Sequence, residues 1–162
     1  MEGKYIEGYG KDYKICKNGD VISYKKYEEG KILKPGINGK GYLQVGLCKN
    51  NKQKNFNIHR LIAIYFIDNP NNYDCVDHIN QNKTDNRREN LRWITKSGNM
   101  RNKKNTGMYL KGVSFNKEKN KFQAQICIDY KHKNLGFFNT ELEAHNVYMK
   151  AYNEVMEKFN KI

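Results

Sequence analysis

Asp77 and His78 stand side by side, Asn90 follows twelve residues after the histidine, and Asn99 comes nine further on, with Arg87, Arg88, Arg92 and Arg101 set among them. A carboxylate and a carboxamide are hard oxygen ligands of the kind Mg²⁺ or Mn²⁺ prefers, and a histidine beside the carboxylate can take a proton from water. An imidazole in water titrates near about 6.5, so such a base is available at neutral pH. The surrounding guanidinium groups match phosphate, which pairs with arginine through parallel hydrogen bonds. The chemistry these residues could perform together is metal-assisted hydrolysis of a phosphodiester. Taken singly they are commonplace: a turn pair, a cap before a strand, a residue at a helix start.

The elements that must position them can be read from local pattern. Ile58 to Phe66 is apolar at helical spacing and stops before Asp68-Asn69-Pro70, where proline disfavours helix in the preceding residue. Cys75 to Ile79 reads as a strand, Asn80 to Asn90 as a polar loop, Leu91 to Thr95 as the returning strand, and Lys96 onward as a short helix carrying Asn99. Upstream, Tyr13-Cys16, Asp20-Tyr24, Tyr42-Leu47 and Asn55-Ile58 read as short strands separated by Asn-Gly, Glu-Gly and Asn-Asn pairs. Asn102 to Gly107 is small, polar and basic, as a linker would be. Beyond it the period becomes two: Phe122, Ala124, Ile126 and Ile128 alternate with Lys121, Gln123, Gln125 and Cys127. With Gly112-Phe115 and Leu135-Phe138 on either side, a three-stranded antiparallel sheet is expected. Thr140-Glu141-Leu142-Glu143 forms a capping box, followed by a helical stripe of Ala144, Tyr148, Ala151 and Val155 that can cover the sheet.

The expected fold class is therefore α+β in small modules: a β-rich basic segment over 1–52, a two-strand-and-helix metal core over 53–101, a linker over 102–108, and a sheet-and-helix module over 109–162. Net charge is +13, and its excess is spread as +5, +5 and +3 over 1–52, 53–106 and 107–162. An even spread among 12 Tyr and 7 Phe suggests folded surfaces that each meet a polyanion, with double-stranded DNA the obvious partner. No long apolar run, signal-like start or basic amphipathic helix points to a membrane, so an intracellular protein is expected. Cys16, Cys48, Cys75 and Cys127 are scattered without a C-x-x-C pair, which argues against structural zinc. Residues 107–139 hold six lysines and two acids, against three lysines and four glutamates over 140–162. The sheet is therefore the basic side of the last module, and a ribbon of that width can enter the major groove.

Val76-Asp77-His78-Ile79-Asn80, Asp85-Asn86-Arg87, Glu89-Asn90-Leu91-Arg92 and Asn99 with Arg101-Asn102 together resemble the HNH nucleases, in the branch of homing endonucleases carried by phage and other mobile elements. His59-Arg60-Leu61 resembles the helix that precedes the motif in that branch. The resemblance implies that Asp77 and Asn99 ligate one divalent metal, that His78 is the general base, and that Asn90 braces the loop and orients the histidine. Arg87, Arg88, Arg92 and Arg101 would meet phosphate, and His59 would support the site from behind. Tyr109, Lys111-Gly112-Val113, Lys121 to Ile126, Leu135 to Phe138, Thr140-Glu141, Glu143-Ala144 and Tyr148 resemble the Apetala-type DNA-binding domain of plant ethylene-response factors, with Phe122 where that family usually has tryptophan. Lys111, Lys121, Gln123, Gln125 and Lys133 are its candidate DNA contacts. The first strands resemble a modular segment often found ahead of such nucleases. Two other readings stand beside a site-recognising endonuclease: a DNA-binding protein with a vestigial centre, and a structure-selective nuclease.

Overall fold

The computed structural model describes residues 2–102, 105 and 107–159, and of Arg101 the backbone alone. The chain is α+β and divides into two compact units, 1–93 and 94–162.

The first unit opens with a four-stranded antiparallel sheet of β1 (Gly3–Tyr5), β2 (Tyr13–Cys16), β3 (Val21–Ser23) and β4 (Lys31–Ile32). A three-stranded antiparallel sheet follows: β5 (Gly36–Ile37), β6 (Leu43–Lys49) and β7 (Lys52–Asn57). β6 and β7 are joined by Asn50 and Asn51, both at positive φ (49° and 59°), the two-residue turn whose twist matches a hairpin and which asparagine tolerates. α1 (Ile58–Phe66) then lays Ile58, Leu61, Ile62 and Ala63 onto Ile15, Val21, Val45 and Leu47. Ile62 is wholly buried, and a side chain of that size contributes roughly 1.5–3 kcal/mol on burial. Gly19, at φ 93°, turns the chain directly over this helix, where an added Cβ would meet Ile62 at 3.3 Å. The same core takes in Val76, Leu91 and Trp93 from β8 (Cys75–His78) and β9 (Leu91–Ile94), which pair into a two-stranded sheet. Trp93 donates its indole N–H to the Ile67 carbonyl at 3.1 Å. The strand pair that carries the motif is thus bolted to α1 through its apolar faces.

The second unit holds α2 (Lys96–Arg101), the antiparallel sheet β10 (Val113–Asn116), β11 (Lys121–Ile128) and β12 (Lys131–Phe138), and α3 (Glu141–Glu157). Ala124 and Ile126 of β11 are buried, as are Ala144, Tyr148 and Met156 of α3, so the period-two and helical stripes meet in one core. Thr140 accepts from Glu143 N–H at 3.2 Å while the Glu143 carboxylate accepts from Thr140 N–H at 3.1 Å, the reciprocal capping box. Gly112, at φ 81°, lies so close to Tyr148 that an added Cβ would fall 2.0 Å from the ring.

Three differences from the sequence reading have physical reasons. β1, β4 and β5 are two or three residues long and largely exposed, too short for a period to show. β12 begins at Lys131, four residues before the apolar run, because Asp129 and Tyr130 (φ 47° and 64°) close the hairpin in two residues. The division falls between Trp93 and Ile94 rather than at 102–108: Gly98 of α2 sits against Ile94 and Phe159, and Asn102 is buried and accepts from the Tyr152 hydroxyl at 3.1 Å. Lys103, Lys104 and Thr106 of the expected linker lie outside the described residues. Among the described residues no helix is long and apolar enough to cross a membrane.

Candidate active site

β8 and β9 run out of the core carrying polar side chains that are nonetheless buried: Asp77 and His78 on one, Arg92 on the other, each 5–8% exposed. Arg92 donates to Asp77 Oδ2 from Nε at 3.1 Å and from Nη2 at 2.9 Å, so both contacts land on the same carboxylate oxygen. A buried carboxylate needs such a partner, since an uncompensated charge in that setting costs several kcal/mol. Arg92 is therefore turned inward, not outward as a phosphate clamp would be.

The loop between the strands is closed by Asn90, at the end of a 3₁₀ turn (Arg88–Asn90). Its Oδ1 accepts from Asn80 N–H at 3.0 Å, and its Nδ2 donates to Asn80 Oδ1 at 2.9 Å and to the Asp85 carbonyl at 2.7 Å. Its backbone carbonyl accepts from Ile79 N–H at 2.8 Å. Asp85 in turn takes two hydrogen bonds from Arg87, at 2.9 and 2.8 Å, which together with Asn80 hold its carboxyl well below the usual carboxylate range. Arg87 and Arg88 are exposed at the loop's outer edge, Arg87 with its guanidinium laid on Asp85.

His78 Nε2 is 2.9 Å from Asn86 Oδ1, and Asn86 is itself buried. Behind the histidine stand two more rings. His59 of α1 lies 5.0 Å from it between centroids, tilted at 63°, and Tyr42 lies 5.9 Å from His78 and 4.7 Å from His59. Lys83 caps Tyr42 with its ammonium 5.0 Å from the ring centre while donating to the Lys40 carbonyl. Burial, followed by the charges of His78 and Arg60, depresses His59 to about 4. Its Nδ1 is buried with no hydrogen-bond partner among the described residues. Tyr42 has no place among the expected site residues because its sequence context is that of a strand start, and Asn86 stands there within the Asp85-Asn86-Arg87 stretch of the motif with no role of its own.

The remaining expected residues belong to the second unit. Asn99 is half-buried on α2 with its N–H bonded to the Thr95 carbonyl at 3.0 Å, and the Arg101 side chain lies outside the described residues. On the sheet, residues directly opposite share a face. Gln123 pairs with Ser114 and Phe137, Lys121 with Asn116, and Gln125 with Asn134, which places these side chains on the face away from buried Ala124 and Ile126. Lys133 pairs with Ile126, so it projects from the opposite face to the two glutamines, though it is exposed. Lys111 is half-buried, with its ammonium 4.9 Å from the Tyr152 ring centre. Its carbonyl lies 2.9 Å from His145 Nδ1.

Among the described residues no cluster of three or more His, Cys, Asp or Glu is placed to hold a metal ion, and Asp77 is the buried carboxylate of the motif. Its carboxylate is a hard oxygen donor, of the kind a divalent ion that keeps several waters takes.

Parts of the chain are similar to known proteins. Residues 56–101 match the model of the HNH endonuclease family and residues 2–48 match the NUMOD4 motif. The DNA endonuclease I-HmuI of Bacillus phage SP01 is 41% identical over 107 residues, 66% of this chain and 60% of that protein. An HNH endonuclease of Acanthamoeba polyphaga mimivirus, L245, is 46% identical over 89 residues, 55% of this chain and 26% of its own. A solved structure concerned with DNA binding and cleavage by the HNH homing endonuclease I-HmuI superposes with a TM-score of 0.56 at 41% identity, over 63% of this chain and 57% of that one. The chain thus spans between a quarter and three fifths of the length of these relatives.

Proposed function

We propose that the chain, whose residues 56–101 match the HNH endonuclease family, is a homing-type DNA endonuclease that hydrolyses a phosphodiester of double-stranded DNA. The observation that carries the reading is the buried Asp77-His78 pair, fixed by Arg92 and Asn86 on a strand pair anchored to α1. His78 is the general base that takes a proton from the attacking water. Asp77 would hold one divalent ion, Mg²⁺ or Mn²⁺, with Asn99 as the second oxygen ligand that the motif implies. Such an ion, when bound, neutralises charge developing on the phosphate and the leaving oxygen. Asn90 ties both ends of the loop together, so that Asp85, Asn86 and the exposed Arg87 and Arg88 keep a fixed relation to β8. The arginines at the rim meet backbone phosphate.

The second unit, by its resemblance to the Apetala-type domain, places the DNA. Its three-stranded sheet on one helix offers Lys121, Gln123 and Gln125 together with Ser114, Asn116 and Asn134 on one face, side chains that suit adenine edges, guanine and phosphate. A second reading, a DNA-binding protein with a vestigial centre, is favoured by one observation: a guanidinium already lies on Asp77. Incubating the full chain with plasmid and random-sequence DNA in Mg²⁺ or Mn²⁺, beside the Asp77→Ala variant, separates the two. Metal-dependent scission lost in the variant supports the endonuclease; binding without scission by the parent chain leaves the vestigial reading.

A further inference from the structure

We propose that Tyr42 contacts the substrate in the nuclease site, donating its phenolic O–H to a non-bridging oxygen of the phosphate that is cut. The inference rests on the reading of His78 as the base of a phosphodiester hydrolysis.

The fold fixes this tyrosine before any substrate arrives. Gly41, at φ 83°, turns the chain into Tyr42, and Asn38 Oδ1 accepts the N–H groups of Lys40 and Tyr42 at 2.9 and 3.1 Å. Asn38 Nδ2 donates to Asn57 Oδ1 at 3.0 Å, immediately before α1. The backbone at Tyr42 is thereby tied to the start of the helix that carries His59. The ring is held as well: its centre is 4.7 Å from that of His59 and 5.9 Å from that of His78, inclined by only 27° to the latter. The Lys83 ammonium stands 5.0 Å from the same centre and is itself held by the Lys40 carbonyl at 2.8 Å. The hydroxyl is treated differently from the ring. Among the described residues it has no hydrogen-bond partner, yet the buried side-chain polar atoms left unpaired there are His59 Nδ1 and Asn86 Nδ2. The phenol oxygen of this half-buried residue is therefore open to solvent. On an ordinary surface tyrosine such a hydroxyl swings with its ring, but here the ring contacts remove that freedom and leave a preoriented donor beside the base. A phosphate whose attacking water is held by His78 comes within a hydrogen bond of it, and the Lys83 charge on the same ring attracts that anion. A fixed donor aimed at oxygens whose charge changes during the attack lowers the barrier without reorganising. Tyr42 keeps its proton while His78 takes the one from water, so the two residues have separate roles. Phenylalanine would serve the ring contacts equally well; the hydroxyl has a use only if something outside the fold accepts from it.

The test uses the full chain, Tyr42→Phe and, as reference, His78→Ala, with plasmid DNA in Mn²⁺ under single-turnover conditions and gel-shift titration of the same DNA. Tyr42→Phe keeps the ring and removes the oxygen. A hydrogen bond to a charged group is worth a factor of about 10–100, so the saturated cleavage rate of Tyr42→Phe should fall by that factor. DNA affinity should stay within about twofold, because many phosphate contacts share the binding. The midpoint of urea unfolding should match the parent's. A second readout locates the contact: on a duplex whose cut phosphate carries a methyl group in place of one non-bridging oxygen, one of the two configurations should lose its sensitivity to Tyr42→Phe, since the acceptor is already gone. Cutting by Tyr42→Phe at the parent's rate overturns the proposal. So does a rate loss accompanied by a lower urea midpoint, which assigns the hydroxyl to the fold, or full sensitivity in both methylated configurations. If His78→Ala cuts as the parent does, the base assignment has failed, and the Tyr42→Phe rate still decides the phosphate contact. A parent chain that binds DNA and cuts none overturns both.

Discussion

The loop from Asn80 to Asn90 and the turn end of the β11–β12 hairpin both carry polar and basic residues between two strands, yet they handle their polar atoms in opposite ways. In the loop Asn86 and Asn90 are withdrawn from water, as are Asp77 and His78 on the strand that enters it, and their polar atoms are bonded to one another, to Arg92 or to backbone. Across the hairpin, Lys131, His132, Lys133 and Asn134 are exposed. Buried polar networks hold a few atoms in one geometry and are intolerant of loss, because each orphaned partner bears the full desolvation penalty. Exposed charges add affinity in small, salt-screened increments. Composition alone would have treated the two segments alike. Internal hydrogen bonding is what separates a segment suited to chemistry from one suited to holding a polyanion.

That contrast makes quantitative demands. His78→Ala should lower the single-turnover cleavage rate by about 10²–10⁴-fold, the range for general-base catalysis, with DNA affinity in gel-shift titration unchanged; a rate near the parent's would remove the histidine from the chemistry. Arg92→Leu leaves the Asp77 carboxylate without its guanidinium, and urea unfolding should show a loss of about 3–5 kcal/mol, largely recovered in the Asp77→Asn/Arg92→Leu double variant. If the single variant unfolds like the parent, the pair is ornamental. Protonation of His59 gives a third test. Its folded value, about 4, lies below the unfolded one near 6.5, so the unfolded chain binds the extra proton first. The stability it contributes is complete above about pH 6.5 and is lost as pH falls towards 4, by at most about 3 kcal/mol. His59→Gln should flatten that part of the stability profile measured by chemical denaturation. On the other side of the comparison, Gln125→Ala should weaken binding to a cognate site by about 1–3 kcal/mol if it reads a base edge. Lys133→Ala should only reduce the slope of log K against log salt by about 0.9. A larger effect at Lys133 than at Gln125 would place the DNA on the other face of the sheet.

Local signals carried much of the architecture. Ile58 to Phe66 declared its helix because four apolar contacts fall on one face and Pro70 limits the end, and Thr140 with Glu143 announced α3 through chemistry confined to four residues. β11 announced itself by strict alternation. Other elements depend on partners far along the chain. β4 and β5 exist through pairing with β3 and β6, not through any pattern of their own. In the candidate site, the residue types and spacing brought Asp77, His78 and Asn90 to notice. The inward turn of Arg92 and the contact of Asn86 with His78 are products of tertiary closure that no one-dimensional spacing encodes. Tyr42 joins the ring cluster only because β6 and α1 meet in the core. Lys133 shows the same limit on a smaller scale, since the bulge between Ala124 and Gln125 shifts the register of β12 and decides which face each lysine takes.

Asn90 has a dynamic consequence. Its carbonyl receives the N–H of Ile79, its side-chain oxygen receives that of Asn80, and its amide hydrogens are spent on Asn80 and Asp85. Freeing any one of these disturbs the others, so the segment has little room for partial fraying. It opens as a single cooperative unit or stays shut, and the amide protons of Ile79 and Asn80 should exchange with solvent at matching rates, slower than those of the exposed turn that separates them from Asn86.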